Sequence, residues 1–147
     1  MPAEYFEARE RALLGERYDT LYAAPQETAA RGVTVSALRT TPEGFAARAD
    51  FPLRPSPFCK AAFVVEQPDL QTGDATPYHH AGVFYSQEPS ASSAAPLLGV
   101  KPGMRVLDLC AAPGGKSSQL AAALQGQGLL VSNEYVAARA RDLEEQP

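Results

Sequence analysis

Val106-Leu107-Asp108-Leu109-Cys110-Ala111-Ala112-Pro113-Gly114-Gly115-Lys116 decides the fold class of this chain. Met104 to Leu109 reads as a short buried strand that runs into a glycine pair. Ser117 to Leu124 then reads as a helix, Leu129 to Ser132 as a second strand, and Val136 to Glu145 as a second helix. Strand, glycine loop, helix, strand, helix is the opening of a doubly wound α/β sheet. Ligands of such sheets bind beyond the carboxyl ends of the strands, and the loop at 110–116 falls there.

The residue types in that loop suit a nucleotide-like ligand. Gly114 and Gly115 permit tight backbone dihedrals and let main-chain N–H groups approach a ligand with no Cβ in the way. The helix behind them offers free N–H groups to a carboxylate or phosphate. Glu134, at the end of the second strand, can accept both ribose hydroxyls of an adenosine. Alone, a glycine pair after a strand is an ordinary turn and a terminal glutamate an ordinary solvated side chain. Their order along the chain joins them into one site. Two other nucleotide motifs fit poorly. Gly115-Lys116-Ser117 matches the end of a P-loop, but the first glycine would fall at residue 110, which is Cys. Gly126-Gln127-Gly128 precedes a strand, where a dinucleotide-binding glycine motif precedes a helix. Lys116 reads equally as a ligand contact and as an exposed lysine at a helix start.

Upstream, Tyr5, Phe6, Leu13, Leu14, Tyr18, Leu21 and Tyr22 sit at helical spacing, with a break near Gly15. Gly32 to Leu38 alternates like a half-buried strand. Thr41-Pro42-Glu43 is a helix start, with Phe45, Ala46 and Ala49 as its buried face. Pro52, Pro55 and Pro57 keep the next stretch extended or irregular, Ala61 to Val65 is a strand, and Gln67 to Tyr78 a loop. This predicts a small α+β unit over residues 1–75 and the α/β unit over 76–147. Within the second, Gln87-Glu88-Pro89-Ser90 opens a helical run through Leu98, closed by Gly99.

Composition sets bounds on the function. The 147 residues are 45% hydrophobic and 20% charged, as in a globular protein. No apolar run nears the roughly 20 residues of a membrane span, and the N-terminus has no secretory pattern. Cys59 and Cys110 imply no disulfide framework, which points to the cytoplasm. The net charge is −4, and the acidic excess lies in 61–100, which has four acids and no base. No basic stripe for a nucleic-acid backbone is visible; if RNA binds, the first 60 residues, with their seven Arg and one Lys, are the better candidates. His79, His80 and Cys59 fit no common metal-ligand spacing, so no metal is expected. Phe84 and Tyr85 read as packing residues before base-stacking ones.

The stretch Asp108 to Ser117 resembles the cofactor motif of the Sun/Nop-type RNA cytosine-5 methyltransferases. Tyr78-His79-His80-Ala81-Gly82, Tyr85 to Ala91 and Ser132-Asn133-Glu134 resemble that family at matching spacing. Leu13-Leu14-Gly15 and Pro57-Phe58-Cys59-Lys60 are most similar to its RsmF branch. The resemblance implies an RNA-binding region ahead of a Rossmann-like methyltransferase domain acting on ribosomal RNA, the small subunit's by the RsmF likeness. It implies S-adenosylmethionine as cofactor, wrapped by Cys110, Ala111, Ala112, Pro113, Gly114, Gly115 and Lys116, with Glu134 on the ribose. Family chemistry adds a cysteine thiolate to carbon 6 of cytosine, so that carbon 5 becomes nucleophilic.

The two cysteine motifs that perform this chemistry lie downstream of the second strand in the family. Neither Cys59 nor Cys110 matches them. Two strands also cannot bury both faces of a parallel sheet. The chain thus reads as an α+β unit followed by the start of a truncated α/β Rossmann-like domain, inactive by itself. The alternative is a non-catalytic RNA-binding remnant.

Overall fold

A computed structural model describes residues 3–22, 30–67 and 76–144. The apolar spacing of the first segment produces two helices, α1 (Ala3–Leu14) and α2 (Arg17–Tyr22). They part at Gly15, whose φ of +54° suits a residue without a Cβ. Tyr18 is buried between them, under the Arg11 guanidinium, whose carbon lies 4.1 Å from the ring centre.

The front unit is built on an antiparallel sheet of four strands. These are β1 (Arg31–Val35), β2 (Leu53–Pro55), β3 (Ala62–Val65) and β4 (Phe84–Ser86), in the order β2-β3-β1-β4. β1 is central and every residue from Gly32 to Val35 is buried. It is shorter than the expected 32–38, because Arg39 and Thr40 both return their N–H groups to the Ser36 carbonyl and close a turn. The proline-rich stretch, expected to be extended or irregular, contains the strand β2. Pro55 fits there because β2 is an edge strand, where a missing N–H is tolerated. β4 lies past residue 75, so this sheet draws a strand from beyond the expected end of the first unit.

Strand alternation sends Val33, Val35, Phe63, Val65 and Phe84 to one face, where Phe45 joins them in a core. Each such side chain contributes about 1.5–3 kcal/mol on burial. Phe45 comes from α3 (Pro42–Ala46), capped as expected: the Thr41 hydroxyl accepts from the Gly44 N–H at 3.0 Å. The expected buried face is narrower, however. Ala46 is exposed and Ala49 half-buried, because the helix stops after five residues and only Phe45 reaches the sheet. Of the expected loop 67–78, residues 68–75 lie outside the described residues. Pro77 and Tyr78 instead begin α4 (Pro77–His80), capped by Thr76.

The second half follows the expected order. A 3-10 turn (Ser90–Ser93) leads into α5 (Ala94–Leu98), which ends at Gly99 with φ +64°. β5 (Arg105–Asp108) pairs in parallel with β6 (Leu129–Ser132), connected through α6 (Gly115–Leu124), and α7 (Ala137–Glu144) follows. Ala95, Val106, Leu120 and Leu124 form a second core between the helices and this sheet. The opposite face of the two strands shows Leu107, Leu129 and Val131 at 46–58% exposure. This agrees with the expectation that two parallel strands leave one face uncovered.

Helix α6 is shared. Leu120 and Leu124 face β5 and β6, while Ser118 and Gln119 line a narrow crevice of about 90 Å³ with Thr34 and Tyr85 of the first sheet. Gln119 ties the seam, donating from Nε2 to the Ser92 carbonyl at 3.0 Å.

Candidate functional site

The loop between β5 and α6 is shaped from inside by Asp108. Its carboxylate accepts from the Cys110 N–H at 3.3 Å and from the Ser117 hydroxyl at 2.8 Å. Ser117 Oγ also lies 3.0 Å from Ser132 Oγ on β6. The end of β5, the start of α6 and the end of β6 are thus joined through one buried serine. Within the loop, the Ala112–Pro113 bond is cis, and Gly114 adopts φ +119° as its N–H bonds the Ala111 carbonyl at 2.8 Å. Only glycine adopts that dihedral without strain.

The amides of Gly115, Lys116 and Ser117 form the first turn of α6 and donate to no acceptor among the described residues. Three unpaired amides at a helix N-terminus suit the carboxylate of an amino acid or a phosphate. Ala111, Ala112, Gly114 and Gly115 are buried, while Cys110, Pro113 and Lys116 are exposed. Lys116 lines a groove with Leu98 of α5 and Leu107 of β5.

Glu134 lies where the sequence puts it, just past β6 and beside the loop. Asn133 holds the two strand ends together: its N–H bonds the Asp108 carbonyl, its amide Nδ2 bonds the Leu109 carbonyl, and its own carbonyl accepts from the Ala111 N–H. The Glu134 carboxylate accepts from the Val136 N–H at 2.9 Å and faces Arg139 at 3.7 Å. Its side chain is only 6% exposed. A carboxylate has about four acceptor positions, so about two remain for a ligand's hydroxyls. Arg139 also donates to the Ala112 carbonyl at 2.8 Å, binding the loop from the side of α7.

Tyr85, Gln87, Asp108 and Ser117 lie within the quoted motifs, which assign them no contact at this site, and Arg139 lies outside those motifs. Tyr85 crosses from the first sheet: its hydroxyl donates to the Pro113 carbonyl at 3.0 Å, and its ring fills the space beside Gly115. Gln87 accepts from the Thr34 hydroxyl at 2.9 Å, and its Nε2 lies 3.3 Å from the point a Gly115 Cβ would occupy. The available signal was positional, in that Tyr85-Ser86-Gln87-Glu88 ends a strand just ahead of the second unit. Glu88 begins the 3-10 turn by accepting from the N–H groups of Ser90 and Ala91, each at 3.0 Å, and from the Ser90 hydroxyl. The Ser90 side-chain and backbone hydrogen bonds hold its carboxyl below the usual glutamate value.

Phe84 lies in the core, as expected. His79 is buried with its ring 6.0 Å from that of Phe84 and 5.5 Å from that of Tyr85. Among the described residues no group of His, Cys, Asp and Glu could hold a metal ion, and no helix is long and apolar enough to cross a membrane.

Comparison with known proteins identifies the family. Residues 1–89 match the family described as the N-terminal domain of 16S rRNA methyltransferase RsmF, and residues 95–146 match the family described as 16S rRNA methyltransferase RsmB/F. Ribosomal RNA small subunit methyltransferase F of Cronobacter sakazakii is 36% identical, over 92% of this chain and 30% of the relative. Its counterpart in Serratia proteamaculans is 38% identical, over 85% of this chain and 27% of the relative. The chain therefore spans under a third of these curated relatives. A solved methyltransferase homologue from Pyrococcus horikoshii superposes with a TM-score of 0.77 at 27% identity, covering 98% of this chain and 49% of that one.

Proposed function

The chain belongs to the RsmF family of 16S rRNA methyltransferases, and from that premise we propose that it carries the cofactor-holding part of an S-adenosylmethionine-dependent ribosomal RNA cytosine-5 methyltransferase. The observation that carries this reading is the union of three free amides at the start of α6 with the carboxylate of Glu134. The two ends of an amino-acid-bearing nucleoside need such a pair, an anion site and a ribose acceptor. The amides of Gly115, Lys116 and Ser117 hold the cofactor's carboxylate. Cys110, Ala111, Ala112, Pro113 and Gly114 form the wall around it, and Glu134 holds the ribose hydroxyls through its two spare acceptor positions. When bound, the cofactor supplies an electrophilic methyl group.

The residues of this chain bind and orient, and none of them is placed as the cytosine nucleophile. Cys110 sits in the cofactor wall and Cys59 on the α6 seam, where the Gln119 amide approaches its sulfur at 3.8 Å. The first unit binds small-subunit ribosomal RNA, in the cytoplasm. We place the division between the two units within 87–94, later than residue 75, because β4 completes the first sheet.

Isothermal titration of the 147-residue chain tests the cofactor reading. S-adenosylmethionine binds, ATP does not, and Gly115→Asp abolishes binding by driving a charged side chain against Tyr85 and Gln87, which displaces the first turn of α6. Binding of ATP in preference to S-adenosylmethionine would overturn the reading.

A further inference from the structure

On the α3 side of the first sheet, away from the cofactor loop, a cleft of about 500 Å³ opens between α3, α4 and the turn after β1. Its size lies within the range of about 300–1,000 Å³ common for small-ligand pockets. Phe51 forms part of its apolar floor, backed by Phe45 at a ring-centre distance of 6.4 Å. Arg39, Arg48, Asp50 and Tyr78 supply its polar and aromatic lining.

Two of the chain's arginines line this one cleft. Arg11 faces Glu7 and Asp19, Arg54 faces Glu66, and Arg139 faces Glu134. Arg39 and Arg48 are exposed and face no carboxylate among the described residues. The surrounding sequence is basic as well, with five Lys/Arg against two Asp/Glu over residues 30–60, in a chain of net charge −4. Two free guanidiniums at one opening recognise phosphate oxygens bidentately. Tyr78, 66% exposed at the same opening, offers a ring face on which an unpaired base can stack. Asp50 repels a bare phosphate, yet it accepts a hydrogen bond from a base amino group.

We propose that this cleft binds one nucleotide of single-stranded RNA, with its base stacked on Tyr78 and its flanking phosphates held by Arg39 and Arg48. This rests on the RNA half of the reading above. A concave site of this kind takes an unstacked nucleotide and excludes a duplex, whose bases are not available for stacking.

The test is fluorescence anisotropy of a labelled single-stranded RNA decamer with the 147-residue chain between 50 and 200 mM salt, concentrations within the range where phosphate contacts change affinity by roughly orders of magnitude. The double variant Arg39→Gln/Arg48→Gln weakens binding at least about tenfold and makes the plot of log affinity against log salt shallower by about 1.4, at about 0.7 per phosphate contact on a single strand. Tyr78→Ala weakens binding about tenfold or more, while Tyr78→Phe keeps the stacking face and stays within about twofold. All three variants retain S-adenosylmethionine affinity, which shows that the fold is intact. Equal RNA affinity and equal salt slope in wild type and variants would overturn the cleft assignment and leave the RNA reading standing. A wild-type chain that binds S-adenosylmethionine but no RNA would overturn both the cleft and the RNA half, leaving the cofactor half. Equal binding of an abasic strand, or displacement of the RNA by polyglutamate of equal charge, would make the cleft a general anion site and overturn the nucleotide assignment.

Discussion

A Cβ placed on Gly115 would lie 2.8 Å from Cε1 of Tyr85, a side chain that reaches the loop between β5 and α6 from a different sheet. Tyr85 cannot easily withdraw, since its hydroxyl is bonded to the Pro113 carbonyl at 3.0 Å and its ring packs beside His79. The glycine and the tyrosine are shaped to each other. Alanine has the higher helix propensity by about 1 kcal/mol. Overpacking costs about 1–3 kcal/mol and therefore cancels or exceeds that gain.

Gly115→Ala is expected to lower stability by about 1 kcal/mol and to weaken S-adenosylmethionine binding, as read by chemical denaturation and titration calorimetry. Tyr85→Ala in the same chain removes the clash, so the double variant should be less damaged than the sum of the single ones. Tyr85→Phe loses one hydrogen bond worth about 1 kcal/mol and raises the cofactor Kd by about fivefold.

Asp108→Asn tests the internal frame of the loop. The carboxylate accepts from the Cys110 amide and the Ser117 hydroxyl, and asparagine offers one acceptor oxygen where the carboxylate offers two. Hydrogen bonds to a charged group are worth about 1.5–3 kcal/mol, so a loss of about 1.5 kcal/mol is expected for this half-buried residue. Ser117→Ala breaks the same link and should add little to the Asp108 variant in a double-mutant cycle.

Gly32→Ala is a severe change in the first sheet. Its Cβ would meet the Gln87 carbonyl oxygen at 2.8 Å and the Phe63 carbonyl oxygen at 2.9 Å. Both are backbone atoms in paired segments and cannot swing aside as a side chain can. A loss of about 2–3 kcal/mol follows, seen as a Tm lower by roughly 5–10 °C in a calorimetric scan.

Glu88 gives the fold an acid-side pH dependence. Its carboxyl is held below the usual glutamate value, first by the Ser90 hydroxyl and then by the Ser90 and Ala91 amides. A group whose folded pKa is lowered adds stability above its unfolded pKa and loses it as pH falls through the folded one. Denaturation midpoints measured from pH 7 down to pH 3 should therefore fall less steeply for Glu88→Gln than for the parent chain, since a glutamine cannot titrate.

Much of the second unit was legible because local signals agreed there. The strand, the glycine loop, the helix start and Glu134 each obey a short-range rule, and α6 and β6 lie where those rules put them. The first unit was harder to read. β2 was invisible because Pro52, Pro55 and Pro57 argue against a strand, and only the edge position in the sheet makes Pro55 acceptable. β1 ended early because the turn at Ser36 to Thr40 depends on hydrogen bonds that periodicity does not report. The same limit hid Tyr85. Its role at the loop depends on a contact 28 residues away, and a strand residue's neighbours across a tertiary seam leave no trace in its own spacing. Arg139 was missed in the same way, 27 residues from the carbonyl it binds.

Helix α6 begins at the free amides of the loop, and along its length it touches both the first sheet and β5 and β6. A body shared in this way is a mechanical link between the two halves. Where a ligand at the seam of Tyr85 and Gln119 changes the affinity of the loop, loading the loop changes that ligand's affinity by the same factor. Reciprocity of this kind requires no moving lid and no second conformation visible in one structure. It requires only that the helix respond as one piece, and ten residues of continuous hydrogen-bonded backbone give it that stiffness.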